Sequence, residues 1–241
     1  MRIEPPEKVS QEKITLDVRE LEPLLTAPKM EVNSFPSAYV SLETGEKMVI
    51  RSLKREEVPS LLQYVKQLLE VDHDFYDIVG ARVYAEILGW YRNRLKDPYN
   101  MVGVVDGELV GYANGRLFNE DIGISLHTLA LRRGARIGAI LYYAKLDYEF
   151  EVLNQKEYWS TFESYNGLRR WGIGMAQPSY PWPDQQHELG GAKIYYITKK
   201  YWSTFVKKYL QDLVRTDLIR PVPKDLLEKN DKFTLPKELV V

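Results

Sequence analysis

The spacing of hydrophobic residues predicts two helices in the first half of the chain. In REEVPSLLQYVKQLLEV, apolar residues recur three and four positions apart, which places them on one face of a helix: Val58, Leu61, Leu62, Val65, Leu68 and Leu69. Glu56 and Glu57 fall in the first turn, where negative charge is favourable. A second helix is predicted over ARVYAEILGWYRNRL, ending near Asp97 and Pro98.

Runs of β-branched and aromatic residues predict strands on both sides of these helices. AYVSLETGEKMVIRSL forms a hairpin that turns at Thr44 and Gly45. In YNMVGVVDGELVGYANGRLF the pair Asp106 and Gly107 is a strong two-residue turn, and IGISLHTLAL is the third consecutive strand. There follow a helix (ARIGAILYYAKLDYEFEV), a strand (EYWSTFES), a short helix (NGLRRWG), a proline-rich loop (MAQPSYPWPDQQHELGG), a final strand (AKIYYITKKYW) and an amphipathic helix (TFVKKYLQDLV).

Composition narrows the class of protein. The 241 residues are 44% hydrophobic and 28% charged, which is typical of a globular protein. A net charge of −1 argues against nucleic acid as the partner. The absence of cysteine excludes a disulfide scaffold, a thiolate nucleophile and a Cys-ligated metal, and the three histidines lie too far apart to predict a metal motif. No apolar run approaches the ~20 residues of a membrane span, and no signal peptide is recognisable, so we expect a cytoplasmic protein.

One basic turn interrupts the apolar pattern, and it either binds an anionic ligand or is a solvated corner. In LALRRGARIGAIL, the strand breaks into Arg132, Arg133, Gly134, Ala135, Arg136, Ile137 and Gly138 before apolar residues return. The first turn of a helix has unpaired N–H groups and the positive end of the helix dipole, which together attract phosphate. Glycine allows close approach of the backbone, and arginine adds attraction. A solvated basic corner at the start of an amphipathic helix would show the same residues.

The order of elements, taken with these motifs, resembles the GCN5-related N-acetyltransferase (GNAT) superfamily between Met48 and Trp202. MVIRSLKREEVPSLLQYV is similar to the family's first strand and helix, and VVDGELVGYANGRL to its central hairpin. The resemblance implies an α+β fold with a mixed, mostly antiparallel, twisted central sheet flanked by helices. Residues 37–202 would form this acyltransferase domain, 1–36 an N-terminal extension, and 203–241 a C-terminal helix and tail.

The resemblance also implies acetyl-CoA as cosubstrate, with its pyrophosphate on the basic turn. The family pattern is Arg or Gln, two residues, Gly, one residue, then Gly or Ala. A start at Arg133 puts Arg136 in place of the first glycine and keeps Gly138, whereas a start at Arg136 leads to Ala139 and then Leu141. The implied cofactor contacts are the main chain of Leu129, Ala130 and Leu131, the turn residues Arg133, Gly134, Ala135, Arg136, Ile137, Gly138 and Ala139, and Asn166.

Catalytic residues are less clearly indicated. Some family members have a carboxylate base where this chain has Ser125, which cannot act as a base unaided. His127, two residues further on, is predicted on the same strand face and titrates near neutrality; a buried, hydrogen-bonded imidazole is the alternative. Glu163 is a competing base. In the family a tyrosine usually acts as the acid. Its expected position in this chain is near Ile173, which is not a tyrosine, so Tyr165 or Tyr180 would have to replace it.

The acceptor side is predicted from two segments that border it in the family, VDHDFYDIVG and PSYPWPDQQH. Their acidic residues (Asp72, Asp74, Asp77) would attract a cationic amine and their aromatic residues (Tyr180, Trp182) would form a wall, although acidic loops are commonly just solvated. The leading hypothesis is acyl transfer, with acetyl as the expected group, to a small-molecule or peptide amine by direct attack in a ternary complex. An inactive CoA-binding or protein-interaction module is the alternative, and RNA contact through LRRGAR and KKYW is a weaker third. The aromatic final strand and the tail helix are consistent with a homodimer.

Overall fold

A single seven-stranded sheet organises the molecule. The computed structural model describes residues 32–73, 75–162, 164–179 and 194–238. Its strands are adjacent in chain order: β1 (Ala38–Ser41), β2 (Lys47–Ser52), β3 (Pro98–Val105), β4 (Glu108–Leu117), β5 (Ile122–Ala130), β6 (Glu157–Ser160) and β7 (Tyr195–Thr198). β5 and β6 run parallel, and the other described neighbours are antiparallel. The predicted α+β class with a mixed, mostly antiparallel sheet is confirmed.

Helices cover both faces of the sheet. They are α1 (Val58–Lys66), α2 (Tyr76–Tyr91), α3 (Ile137–Asp147), α4 (Tyr165–Gly167), α5 (Lys199–Tyr201), α6 (Lys207–Val214) and α7 (Lys224–Lys229). Short 3₁₀ turns flank α1 (Arg55–Glu57 and Gln67–Glu70), and π-helical stretches follow α3 (Tyr148–Val152), α4 (Leu168–Ile173) and α5 (Trp202–Val206). The α2 helix begins before the predicted Ala81, since Tyr76 and Val79 also pack on the core.

Two hydrophobic cores lie on opposite faces of the sheet. Residues of β3 alternate between them: Met101 packs in the core beneath α3 and the C-terminal helices, whereas Val102 packs in the core beneath α1 and α2. Strands covered on both faces read as continuous apolar runs. All eight residues of β3 are accordingly buried.

The predicted final strand is shorter than the sequence suggested. β7 ends at Thr198, whose side-chain oxygen accepts a hydrogen bond from the Tyr201 amide and caps a helix that begins at Lys199. Trp202, Val206 and Leu210 are spaced four apart and are buried against α3. The strand prediction over KKYW was therefore wrong, because aromatic residues that favour strands here form the buried stripe of a helix. In the same way, β6 stops at Ser160 instead of continuing to Ser164.

Candidate functional site

The candidate site lies where β5 and β6 separate. These strands pair only between Ile122–Ile124 and Glu157–Trp159. β5 continues to Ala130, and along this stretch it has no partner on its β6 side among the described residues. A cavity of about 520 Å³ occupies the gap. The strand's free backbone edge therefore faces a cavity large enough for an extended ligand.

Both layers of helices contribute to the cavity wall. Tyr76 and Val79 line it from α2, and Gly138 and Tyr142 line it from α3. Trp171, from the π-helical stretch after α4, stacks on Tyr142 with ring centroids 4.6 Å apart. Because α2 and α3 lie on opposite faces of the sheet, the cavity passes through the gap from one face to the other.

One end of the cavity is formed by the N-terminus of α3. Arg136 precedes the helix with left-handed dihedral angles (φ 57°), and no side chain caps the helix at this residue. Gly134, at φ 87°, has open space where a Cβ would be, and a Cβ on Gly138 would meet only Ala130, at 3.6 Å. The first amides of α3 are therefore accessible to a ligand and carry the positive end of the helix dipole. This arrangement is suited to a phosphate group.

The three arginines of the basic turn have different surroundings. Arg132 donates two hydrogen bonds to the carboxylate of Glu46, at 3.0 and 2.6 Å, and these bonds hold the pKa of Glu46 below its ordinary value. Arg136 donates to the carbonyl of Leu213 at 2.6 Å and also lines the cavity. Arg133 is exposed and lines the cavity, and its hydrogen bond within the described part of the chain is a long one of 3.4 Å to the Tyr76 hydroxyl.

The remaining predicted cofactor residues divide into those that reach the cavity and those that do not. The lining includes Leu129, Ala130, Gly134, Ile137, Gly138, Ala139 and Asn166. It also includes Arg170, a second guanidinium that the sequence analysis did not single out. Leu131 and Ala135 are buried outside the lining, and the Leu131 amide donates to the carbonyl of Val110 at 2.9 Å. That amide is engaged by the sheet.

A bulge in β5 separates the two candidate bases that the sequence placed together. Ala113 pairs with Thr128 and Gly115 with Ser125, so β5 holds one more residue than β4 between these pairs. An extra residue reverses the alternation of side chains along a strand. Ser125 therefore faces α3 and His127 faces α2. The prediction that they share a face was wrong, because strict alternation does not survive a bulge.

His127 belongs to a hydrogen-bonded cluster on the α2 face. Its Nε2 lies 3.2 Å from Glu86 Oε1, and the Asn114 amide donates to the other oxygen of Glu86 at 2.6 Å. The Asn114 side-chain oxygen in turn accepts the His127 backbone N–H at 2.8 Å. A carboxylate that binds one ring nitrogen fixes the orientation of an imidazole. His127 also lines the cavity, so this cluster reaches the cavity wall.

Of the other predicted catalytic and acceptor-side residues, those that the structure describes lie outside the cavity lining. Tyr165 is 72% exposed, with the Arg169 guanidinium over its ring, and is not part of the lining. Asp72 and Asp77 also lie outside the lining. Glu163, Tyr180, Trp182 and Asp74 lie outside the described residues.

Tyr142 places a buried hydroxyl at the cavity, and the sequence analysis did not consider it as a candidate acid. Burial raises its pKa to about 12, and its oxygen accepts a hydrogen bond from Gln177 at 3.5 Å. It follows Gly138 by four residues, so the two share one helix face. That spacing was the available signal, because a residue one turn beyond Gly138 lies on the same face of the helix and therefore faces the same cavity.

Lys145 was also passed over. It is fully buried on α3, and its Nζ donates to Ser125 Oγ at 2.9 Å, to the His127 carbonyl at 3.1 Å and to Thr128 Oγ1 at 3.3 Å. Burial lowers the pKa of this lysine to about 7. A lysine within the otherwise apolar run AILYYAKL was a sequence signal for a buried polar contact.

Two classes of site are not found in the part of the chain that the structure describes. No cluster of His, Asp or Glu side chains there has the geometry to hold a metal ion. No described helix combines the length and apolarity that crossing a bilayer would require.

The comparisons with known proteins point to one fold. No protein-family model matches the sequence, and no curated protein matches it. RimJ from Mycobacterium smegmatis, solved in complex with CoA-disulfide, is 11% identical with a TM-score of 0.54; the match covers 78% of this chain and 100% of that one. An uncharacterized protein from Bacillus halodurans is 12% identical with a TM-score of 0.53, covering 75% and 99%. A weaker likeness is spermidine N-acetyltransferase from Vibrio cholerae in complex with CoA and spermine, at 13% identity and 0.44, covering 65% and 98%.

Proposed function

Because the chain has the fold of the GCN5-related N-acetyltransferase superfamily, we propose that it is an N-acyltransferase that moves an acyl group from acyl-CoA, chiefly acetyl-CoA, to an amine. One observation carries the proposal. The gap between β5 and β6 contains a cavity of about 520 Å³ whose end is the accessible N-terminus of α3. Fold and cavity together match what a long, diphosphate-containing thioester requires.

The diphosphate would bind at the basic turn. The amides of Ile137 and Gly138 lie in the first turn of α3, where N–H groups have no acceptor within the helix. Four arginines line the cavity; Arg132 and Arg136 donate to protein acceptors, which leaves Arg133 and Arg170 as the guanidinium groups for phosphate. Two guanidinium groups beside an amide cradle supply charge-assisted hydrogen bonds to phosphate oxygens.

The proton transfers would involve His127, which is directed at α2, and Tyr142 on α3. A primary amine attacks the thioester carbonyl carbon only in its neutral form, so a base must take its proton. His127 can accept that proton through its imidazole, and Glu86, at 3.2 Å, would stabilise the resulting charge. Tyr142, whose pKa burial raises to about 12, keeps its proton at neutral pH and would donate a hydrogen bond to the departing thiolate, which takes its proton from the imidazolium of His127. Tyr165, the hydroxyl predicted for this role, is exposed elsewhere.

The acceptor is an amine of a small molecule or a peptide. The side chain of Glu86 keeps 16% of its surface exposed, and a partly solvated carboxylate attracts a protonated amine before His127 removes the proton. This polar cluster is the described part of the acceptor side.

Cofactor binding is tested by calorimetry with acetyl-CoA. Arg133→Ala should weaken binding about tenfold, since a charge-assisted hydrogen bond contributes about 1.5–3 kcal/mol. The matched control is Lys208→Ala, which removes the same charge from an exposed position on α6 and should leave the affinity unchanged. No heat at millimolar acetyl-CoA would contradict the proposal.

Turnover is tested by release of free CoA thiol with a panel of amines. His127→Ala should lower the turnover number on the order of 10²-fold with little change in KM for acetyl-CoA, because it removes a proton acceptor and not a cofactor contact. Glu86→Gln should lower turnover less, since the imidazole remains. Binding of acetyl-CoA without turnover on any amine would instead favour the inactive CoA-binding module.

A further inference from the structure

A serine and a buried lysine meet at the cavity on the α3 face, opposite His127. Ser125 lines the cavity, and Lys145 lies directly behind it with no exposed surface. Their Oγ and Nζ atoms are 2.9 Å apart. The acyltransferase chemistry proposed above uses neither residue, since its base, His127, is directed at the opposite face of β5, toward Glu86 of α2.

The hydrogen bonds of Lys145 are complete when the amine is neutral. A neutral amine has two N–H donors and one lone pair. The His127 carbonyl can only accept, and the Thr128 hydroxyl can accept, so these two take the N–H groups. In the ammonium form Lys145 donates to all three partners, Ser125 included. In the neutral form its lone pair would instead accept the Ser125 hydroxyl proton, and Lys145 would then act as a base directed at the serine oxygen.

Burial and two nearby glutamates act on the pKa of Lys145 in opposite directions. Its three hydrogen-bond partners are all uncharged groups. Burial lowers its pKa to about 7, while Glu149, one turn on, and Glu86, on α2, act in the opposite direction. Burial also raises the pKa of Glu149 to about 8, so that carboxyl is largely protonated near neutral pH and stabilises the ammonium form weakly. A substantial neutral fraction of Lys145 follows.

We propose that Ser125 and Lys145 form a nucleophile–base pair that removes the acyl group from a thioester in the cavity and hydrolyses it, giving the protein an acyl-CoA thioesterase activity besides amine acylation. The inference rests on the proposed function, because the thioester must occupy the same cavity. The bulge in β5 places Ser125 and His127 on opposite faces, so a carbonyl at the gap is reached by serine from one side and by an amine from the other.

The reaction balances with water as the only co-reactant. Ser125 Oγ attacks the thioester carbonyl carbon as its proton passes to Lys145 Nζ, and the carbon–sulfur bond breaks. The CoA thiolate leaves and takes that proton as the free thiol. Water then attacks the serine ester and gives a proton to Nζ, the Oγ–carbon bond breaks, and Oγ recovers the proton from Nζ. The products are the carboxylic acid and CoA.

Lys145 also has a purely structural alternative role. By donating to the His127 carbonyl, it satisfies a backbone group at the bulge, and this bond would be useful even without any chemistry. A test must therefore report on the basicity of Lys145 toward position 125 and not only on folding.

The absence of cysteine in the chain permits such a test without substrate. Ser125→Cys introduces one thiol, whose rate of alkylation by iodoacetamide is measured against pH. Beside Lys145 the thiolate should form with its midpoint at least about one pH unit below the ordinary thiol value near 8.5. Ser203→Cys, at an exposed position, is the matched reference thiol. Equal midpoints for the two thiols would overturn the inference.

A second measurement follows the acyl group itself. With acetyl-CoA and no amine, the full chain should release free thiol and acetate at a rate that rises with pH through about 7, where Lys145 loses its proton. Ser125→Ala and Lys145→Met should each lower this rate at least about 10²-fold, whereas the surface variant Ser203→Ala should not. Intact-mass and peptide analysis should find a transient acetyl group on Ser125; acetyl on Lys145 instead would refute the assignment.

The outcomes separate this inference from the proposed function. Failure of acetyl-CoA to bind in calorimetry removes the acyltransferase proposal and the thioesterase with it. If acetyl-CoA binds and amines are acetylated, but hydrolysis is the same in Ser125→Ala, only the thioesterase is wrong. Circular dichroism on Lys145→Met identifies misfolding, and in that case the thiol measurement, which keeps Lys145, decides the question.

Discussion

At the scale of single residues, the basic turn shows how one motif divides into different roles. The sequence presents three arginines around two glycines, and nothing in it distinguishes them. In the structure all three line the cavity, but Arg132 and Arg136 also donate to Glu46 and Leu213 of neighbouring segments, whereas Arg133 makes one long hydrogen bond, to Tyr76, among the described residues. Which arginine side chains can reach a ligand therefore depends on which guanidinium groups are already hydrogen-bonded to protein acceptors, and not on the register in which the family pattern is aligned.

Gly138 provides a prediction at this scale. Gly138→Leu should leave the free energy of unfolding unchanged or raise it, because leucine favours a helix over glycine by roughly 0.5–1 kcal/mol and the position is open. The same side chain would occupy the space beside the α3 amides, so affinity for acetyl-CoA should fall at least tenfold by calorimetry. Gly138→Ala, which adds one methyl group, is the graded control and should lose much less. Unchanged affinity in the leucine variant would place the ligand elsewhere.

At the scale of elements, the position of α3 depends on its close approach to the sheet. A Cβ on Gly111 of β4 would lie 2.6 Å from Leu141 and 2.7 Å from Ile137, both on α3. Real Cβ atoms do not approach other atoms so closely, so the helix can pack here only because this position is glycine. Gly111 therefore helps to set where the α3 N-terminus meets the cavity.

Gly111→Ala should displace α3. Overpacking of this kind costs roughly 1–3 kcal/mol, and both the free energy of unfolding and the affinity for acetyl-CoA should fall. The comparison is Gly103→Ala on β3, where the close atom is the flexible end of Met48, at 2.9 Å, which can move aside. Urea unfolding and calorimetry on both variants make the test. A larger loss in Gly103→Ala would mean that α3 is not held in this way.

The π-helical stretch after α3 carries a buried acid with a second element-scale consequence. Glu149 has no exposed surface, and neither carboxyl oxygen has a hydrogen-bond partner among the described residues. Burial raises its pKa to about 8 from an ordinary value of 4.5. Between these pH values the folded protein keeps a proton that the unfolded chain releases, so the free energy of unfolding falls as pH rises.

Glu149→Gln should remove this pH dependence, because glutamine is neutral in both states. The variant should gain stability relative to the wild type as pH rises from about 4.5 to about 8, on the order of a few kcal/mol. Urea unfolding at several pH values measures the difference. Lys145, whose pKa burial lowers to about 7, makes stability rise with pH above about 7; because Glu149 acts on that pKa, the comparison is repeated in a Lys145→Met background. A difference that does not vary with pH would show that Glu149 is ionised in the folded state.

At the scale of the whole molecule, the C-terminal segment closes the fold. Ile219 bridges to Tyr39 of β1, and the Leu109 amide of β4 donates to the carbonyl of Thr234. Asn230 is fully buried: its side chain accepts from the Gly107 amide at 3.0 Å and donates to the carbonyl of Leu226 at 2.9 Å. The tail thus ties the β3–β4 turn to the C-terminal helices.

Asn230→Ala should destabilise the protein without affecting its site. Leaving buried backbone groups unpaired costs about 1–3 kcal/mol, which for a chain of this size lowers Tm by roughly 5 °C. Gly107 and Leu226 do not line the cavity, so acetyl-CoA affinity should not change. Lys232→Ala, an exposed neighbour, is the control and should shift Tm little. Loss of acetyl-CoA affinity in the folded alanine variant would show that the tail is coupled to the site.

The sequence by itself determined the order of elements and the presence of a basic, glycine-containing turn before a helix, because periodicity, turn pairs and glycine positions are local properties of the chain. Asp106–Gly107 and the stripe of Val58 to Leu68 needed no tertiary information. Tertiary structure alone decided which side chains meet. The bulge that turns Ser125 toward Lys145 and His127 toward Glu86 comes from one unmatched residue between paired strands, and the same residues on an isolated strand would have shared a face. Hydrogen-bond partners far apart in the chain, such as Arg136 and Leu213, follow from how elements pack.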